Sequence, residues 1–347
     1  MVIENNMSDT KRHLINFLAV AAIFAIIVGL KQTGRLSPYI QGIMMTTCIA
    51  IVMSTSLNLA TGFLGQVTLG HAGFMSIGAY TSAIVTCTLR DAGILTGSAG
   101  ADITRFLFGM LCGGVLAAIF GVFVGIPALR LKGDYLAIIT LGFGEIIRVV
   151  IQNMEITRKG RSYIGIDSLS NLYVVFWVMV TSVSVIYALV NSKYGRAFMS
   201  IREDEVASGA SGINTTYYKV LAFTISAFFA GVGGTIYAHY IVTLQPSTFN
   251  FSKSTEYMII VVLGGRGSLT GSVVAAVFLT ALPELLRTFS TYRMLAYSVA
   301  LVFVMIYKPG GVFGSYEFSL VQTLRKFFGK KAPAVKAAAE TTGEGDR

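Results

Sequence analysis

Charge is scarce in this 347-residue chain: 13% of its residues are charged, about half the roughly 25% usual for a soluble domain, and 54% are hydrophobic. Such a chain cannot cover itself with polar surface in water. Cysteine is scarce too: Cys48, Cys87 and Cys112 lie in apolar stretches without C-x-x-C spacing, so they read as packing residues and exclude a disulfide framework. Three scattered histidines do not make a metal site. No G-x-x-x-x-G-K-[ST] phosphate loop is present, and Gly329-Lys330-Lys331 lacks both the upstream glycine and the hydroxyl residue. A G-x-S-x-G elbow, an H-E-x-x-H helix and a carboxylate pair in a plausible cleft are also missing, so the expectation is a non-enzyme that binds no cofactor of its own. The formal net charge is +10, but the basic residues sit in short loops and a tail, with no aromatic-interleaved face for nucleic acid.

What the chain has in abundance is apolar runs. A helix needs about 20 mostly apolar residues to cross the hydrocarbon core of a bilayer. Spans are expected near 14–30, 39–60, 66–88, 106–126, 135–153 and 172–190, then near 220–241, 256–286 with an interruption, and 294–307. The first could pass for a signal-peptide core, but no small-residue cleavage pattern follows and further spans come at once, so it is expected to be the first helix. The expected fold is an all-α membrane protein, a polytopic bundle of roughly eight to ten transmembrane helices with Gly-rich interrupted segments. Residues 1–13 form an N-terminal segment, 14–315 the transmembrane domain, and 316–347 a basic, partly disordered tail. Six spans before the polar segment 191–219 and an even number after it place both termini and that segment on one side, expected to be cytoplasmic. The excess of Lys and Arg on that side is mild and rests on the tail from Arg325 onward.

The segment 191–219 is the one long polar stretch inside the body of the chain, and Glu203, Asp204 and Glu205 open a run of small residues within it. Acids in a first helical turn are favoured by the positive end of the helix dipole, and small side chains let another surface approach. On composition alone this is a short solvated helix.

Five stretches carry a resemblance. Ser200 to Asn214, SIREDEVASGASGIN, looks like the cytoplasmic coupling segment of ABC import permeases, in the form found in LivM-type branched-chain amino acid permeases. The stretches NLATGFLGQVTLGHAGFMSIGAY (58–80), GDYLAIITLGFGEII (133–147), LGGRGSLTG (263–271) and YKPGGVFG (307–314) resemble the same family and follow its order. The resemblance implies a permease subunit of an ATP-driven importer for leucine, isoleucine and valine in the bacterial inner membrane. It also implies partners: two ATP-binding subunits carrying ATP-Mg, a homologous second permease, a periplasmic substrate-binding protein, and membrane lipid around them. Carried onto this chain, the ATPase-coupling residues are Glu205, Ala207 and Gly212. The general Glu-Ala-Ala pattern is replaced here by Val206, Ala207 and Ser208, and the loop from Thr157 to Ser162 is unusually basic for the family.

Gly-interrupted apolar stretches in two halves of a transporter are where backbone faces a pathway. Unpaired backbone cannot face lipid, so such breaks are covered by protein or line a cavity. Candidates for the translocation pathway are therefore Gly65, Gln66, Gly70, His71 and Gly73 in the first break, and Gly264, Gly265 and Gly267 in the second. Close helix packing through small residues is the other reading of both. Glu145 and Arg148, three apart in a span, are expected to form an intramembrane ion pair. Two alternatives stay open: the same importer class for urea or short amides, and a secondary transporter in which Glu145 or His71 carries protons.

Overall fold

The computed structural model describes residues 9–33, 37–94, 97–129, 131, 133–157 and 161–285, with single residues 298, 299, 302, 306, 307, 311 and 314. The span expected at 294–307 falls almost wholly outside the described residues, and the tail from 316 falls wholly outside them. Asp9–Gln32 (α1) is a 24-residue helix belonging to a compact unit of its own, and at 1.5 Å per residue it is long enough to cross a membrane.

The second unit begins with Pro38–Asn58 (α2), which runs on into a π-helical turn, Leu59–Phe63. His71–Asp91 (α3), Ala99–Ala128 (α4), Asp134–Asn153 (α5) and Leu172–Val190 (α6) follow. Two short helices, Lys193–Glu203 (α7) and Glu205–Ala210 (α8), precede the long Thr215–Ile241 (α9), and Phe251–Gly264 (α10) and Leu269–Leu285 (α11) close the described part. The only described strands, Tyr163–Ile164 (β1) and Thr243–Leu244 (β2), pair antiparallel with Tyr163 opposite Leu244. Polar side chains placed just before the helices fix many of their starts. Ser37, Ser98, Asn171, Ser192, Asp204, Asn214 and Asn250 each accept a hydrogen bond from a first-turn N–H of the helix that follows.

Among the described residues, five helices are long and apolar enough to span a bilayer: α2 with its π turn, α3, α4, α6 and α9. Burial runs opposite to apolarity. The apolar windows of α4 and α6 are only 33% and 28% buried within the chain, whereas those of α2, α3 and α9 are 78%, 72% and 67% buried. Lipid is as apolar as leucine, so the most apolar helices gain nothing by leaving it and stay at the rim; α4 turns Leu111, Ile119 and Phe123 outward. The inner helices are held instead by close approach. A Cβ at Gly78 of α3 would lie 2.2 Å from the Gly231 carbonyl oxygen of α9, one at Gly234 2.0 Å from the Met75 oxygen, and one at Gly113 of α4 2.8 Å from the Gly78 oxygen. Three helices thus meet backbone to backbone through glycine.

Three expectations change in detail. The span placed at 66–88 is helical only from His71, because residues 64–70 form a non-helical link after the π turn. The interrupted span at 256–286 is a helical hairpin. At 14 residues α10 is about 21 Å long, short of the roughly 30 Å hydrocarbon core, and α11 is described as far as Leu285. The hairpin turn lies at the end of α2, where Asn58 bonds Ser268 and Ser272, and α11 runs back along α2 until Glu284 meets the Tyr39 hydroxyl. The polar segment 191–219 holds two helices, the first of which buries Ala197, Phe198 and Ile201.

Candidate functional site

The α7–α8 corner is built from local sequence. Phe198 and Ile201 share a face of α7 and pack into a cluster with Leu59, Phe63, Leu64, Ile186 and Val190, seating α7 against the ends of α2 and α6. Asp204 ends α7 and caps α8: its Oδ1 accepts from the backbone N–H of Val206 at 2.8 Å and of Ala207 at 3.0 Å. The Ser200 and Ser208 hydroxyls hydrogen-bond at 2.6 Å, closing the two helices into one piece. Beyond the corner, Val206 is 75% exposed, and Ala207, Gly209 and Gly212 face outward with it. Gly212 has φ +84°, a left-handed conformation that only glycine adopts without strain, and it turns the chain toward α9. Glu205 points the other way. Its Oε1 lies 2.7 Å from Nζ of Lys219, a side chain only 3% exposed at the start of α9. Lys219 is a partner that sequence reading missed.

Behind this corner the two chain breaks touch. The buried Asn58 accepts from Gly267 N–H at 3.0 Å and donates to the Ser268 carbonyl at 2.9 Å and the Ser272 hydroxyl at 2.8 Å. A Cβ at Gly62 would sit 2.3 Å from Gly267 N, and one at Gly264 2.5 Å from the Gly271 oxygen. Arg202, in the last turn of α7, donates from Nη1 to the Gly62 carbonyl at 3.0 Å, and its stem lies against Gly65. Gly311 and Gly314 crowd Gly265 from the far side. Four stretches distant in sequence therefore converge on one polar, glycine-lined knot.

Of the residues singled out for a pathway, Gly65, Gly264, Gly265 and Gly267 belong to this knot. Gly70, His71 and Gly73 do not. Gly70 and Gly73 press on Thr140 and Gly144 of α5, with Cβ positions 2.2 Å from the Thr140 oxygen and 2.9 Å from the Gly144 Cα. His71 is buried and shares a 2.9 Å hydrogen bond with the Ser56 hydroxyl. Gln66 is half-buried and donates its backbone N–H to Ala60 at 2.9 Å.

The protein family described as branched-chain amino acid transport system / permease component matches residues 39–308. This chain belongs to that family. The permease is 36% identical over 302 residues to the high-affinity branched-chain amino acid transport system permease protein LivM of Salmonella typhimurium, covering 77% of this chain and 68% of that one. Its likeness to the protein of the same name in Escherichia coli K12 is 35% with the same coverage. A probable LivM of Methanocaldococcus jannaschii is 24% identical over 57% of this chain and 66% of its own length. No solved structure matches.

Two further charge arrangements lie away from the knot of this permease. Arg148 Nε meets Glu145 Oε2 at 2.6 Å, while Glu145 Oε1 accepts the Phe251 N–H at 3.1 Å, so one carboxylate joins α5 to the start of α10. Glu145→Gln is expected to lower stability by about 1 kcal/mol, since the pair is one-quarter to one-third exposed. A melting curve in detergent checks this, and an unmoved midpoint would mean the pair contributes nothing. The second arrangement escaped sequence reading. Asp167 meets Arg90 at 2.8 Å and the nearly buried Arg105 at 3.0 Å, and its carbonyl hydrogen-bonds His239 Nδ1 at 2.9 Å, tying α3, α4 and α9 to the 154–171 connection. Near β1 and β2, Gln152, Arg161, Ser162 and Gln245 line an open cavity of 340 Å³. The basic residues Arg158 and Lys159 of the same loop lie outside the described residues.

Proposed function

We propose that this chain is one permease subunit of an ATP-binding-cassette importer that carries branched-chain amino acids across the bacterial inner membrane. The observation that carries the reading is the likeness to proteins named LivM over 77% of the chain. The α7–α8 corner adds to it: a rigid, outward-facing pair of short helices, with Val206, Ala207 and Gly209 exposed, suits docking into a cleft on an ATP-hydrolysing subunit. Ala207 and Gly212 are the proposed contacts on that face, and Glu205 orients α8 through Lys219. Two such subunits supply ATP-Mg and its hydrolysis, a second homologous permease completes the pathway, and a periplasmic binding protein delivers the cargo. The corner and both termini face the cytoplasm, on the parity of six spans before the corner and an even number after it. ATP binding shifts the transporter only by as much as it differs between the two states, so the docking contact must be stiff.

The test is purification of the tagged chain in mild detergent with its partners. Recovery of an ATPase and a second permease, with hydrolysis stimulated by leucine-loaded binding protein, is expected. Stimulation by a urea- or amide-loaded binding protein instead would keep the importer and change the cargo. Recovery of the chain alone, with uptake that collapses with the proton gradient, would overturn the reading in favour of a secondary carrier.

A further inference from the structure

We infer that Arg202 is the positioning residue through which movement of the α7–α8 corner reaches both chain breaks, joining the end of α2 and the α10–α11 turn to the docking helix. The inference rests on the importer reading above. Arg202 lies two residues before the Asp204 corner, so α8 cannot shift without moving the turn of α7 that carries it. Its guanidinium is fixed in direction: Nη2 and Nε both reach Glu203 Oε1, at 2.7 and 3.2 Å, leaving Nη1 aimed at the Gly62 carbonyl. That carbonyl lies in the π turn at the C-terminal, negative end of α2, where a cation is favoured.

Two glycines make room for this one side chain, and a third supplies its acceptor. A Cβ at Gly65 would stand 2.6 Å from Arg202 Cγ, and one at Gly267 2.9 Å from Nη1, while Gly62 offers its bare carbonyl. Gly65 and Gly267 are also placed to hinge, together with Gly265: the three hold φ of +78°, +86° and +110°. Hinges are few-residue segments that absorb large backbone changes, and here two of them flank one arginine. The remaining contacts of α7 with this region are the apolar packing of Phe198 and Ile201 against Leu59, Phe63 and Leu269, which is non-directional and allows sliding. The charge-assisted bond supplies the direction.

The experiment uses the complete importer in proteoliposomes, measuring leucine uptake and ATP hydrolysis together. Arg202→Ala is expected to retain the ATPase subunit and its hydrolysis within about twofold, while leucine moved per ATP falls about tenfold, within the usual span of coupling between linked sites. Arg202→Lys, which keeps the charge but not the fork, is expected to fall between. Gly267→Ala is expected to lower the same ratio. An unchanged ratio would overturn the inference. So would a loss of uptake and hydrolysis by one common factor, or a loss of the ATPase from the complex, either of which marks a clamp that only holds structure. If Arg202→Ala does not accumulate, Arg202→Lys decides, and a wild-type ratio in that variant sinks the idea. A wild-type complex without ATP-dependent leucine uptake would overturn the importer reading and this inference with it.

Discussion

Alanine at position 78 is expected to keep the folded permease from accumulating. The added Cβ would stand 2.2 Å from the Gly231 carbonyl oxygen and 2.3 Å from its Cα, and both are backbone atoms with no rotamer to yield. Relief requires α3 and α9 to separate. That separation would spread to α4, whose Gly113 lies against the Gly78 carbonyl, and would open the Gly234 contact with Met75 one turn away. Overpacking costs about 1–3 kcal/mol where neighbours can shift, and occasionally more. With only backbone in the way, the cost is expected at or above the top of that range, against a total stability of about 5–15 kcal/mol. Gly142→Ala is the control. It lies in α5 with nothing within 4 Å of its Cβ position, so alanine should match or slightly exceed wild type through helix propensity. Membrane abundance and the size-exclusion profile in detergent read both variants. Wild-type accumulation of Gly78→Ala with an unmoved melting midpoint would show that the three helices are not held by this contact.

The contact itself could not be read from the chain, and the reason is general to proteins in lipid. Apolar length showed where most helices run: the expected 39–60, 135–153 and 172–190 fall on α2, α5 and α6 within a few residues. It could not show which helices are central, because a residue facing lipid and one facing another helix are chosen from the same side chains. Glycine was the available signal, legible as breaks at 65–79 and 264–271 but silent about pairing. Gly267 bonds Asn58 across 209 residues, and nothing local to either announces the other. The helix start at His71 was missed because the Gly- and Thr-bearing link before it is apolar enough to pass for helix. At the docking corner a signal was present. Gly195, Phe198 and Ile201 recur at helical spacing and mark a buried face on α7, although the acids after them drew the reading toward solvent. Arg202 is set beside those acids. Its partner is a backbone carbonyl, which leaves no trace in sequence.

Reversing the charge at Glu205 is expected to bring uptake to background while the permease still inserts into the membrane. Lysine there would face Lys219, whose side chain is 3% exposed and whose carboxylate partner, 2.7 Å away, would be gone. Removing one member of a fully buried pair costs about 3–5 kcal/mol, and with the carboxylate here 27% exposed the cost is expected below that range. The pair is the ionic tie between six-residue α8 and α9, so the loss falls on the docking face and leaves the bundle intact. Lys219→Glu alone is expected to fail in the same way. The exchange of both, Glu205→Lys with Lys219→Glu, re-forms the pair with its polarity reversed. It also sets a cation in the first turn of α8, where the helix dipole disfavours it by about 0.3–1 kcal/mol. Uptake should therefore return to about a fifth to a half of wild type, with the ATPase subunit again co-purifying. Measured at equal permease levels, that recovery would assign Glu205 to holding α8 in place and leave the docking contact to Ala207 and its exposed neighbours. An exchange variant that stays inactive and still loses the ATPase would mean that the Glu205 carboxylate itself meets the partner subunit in a state where the ion pair opens.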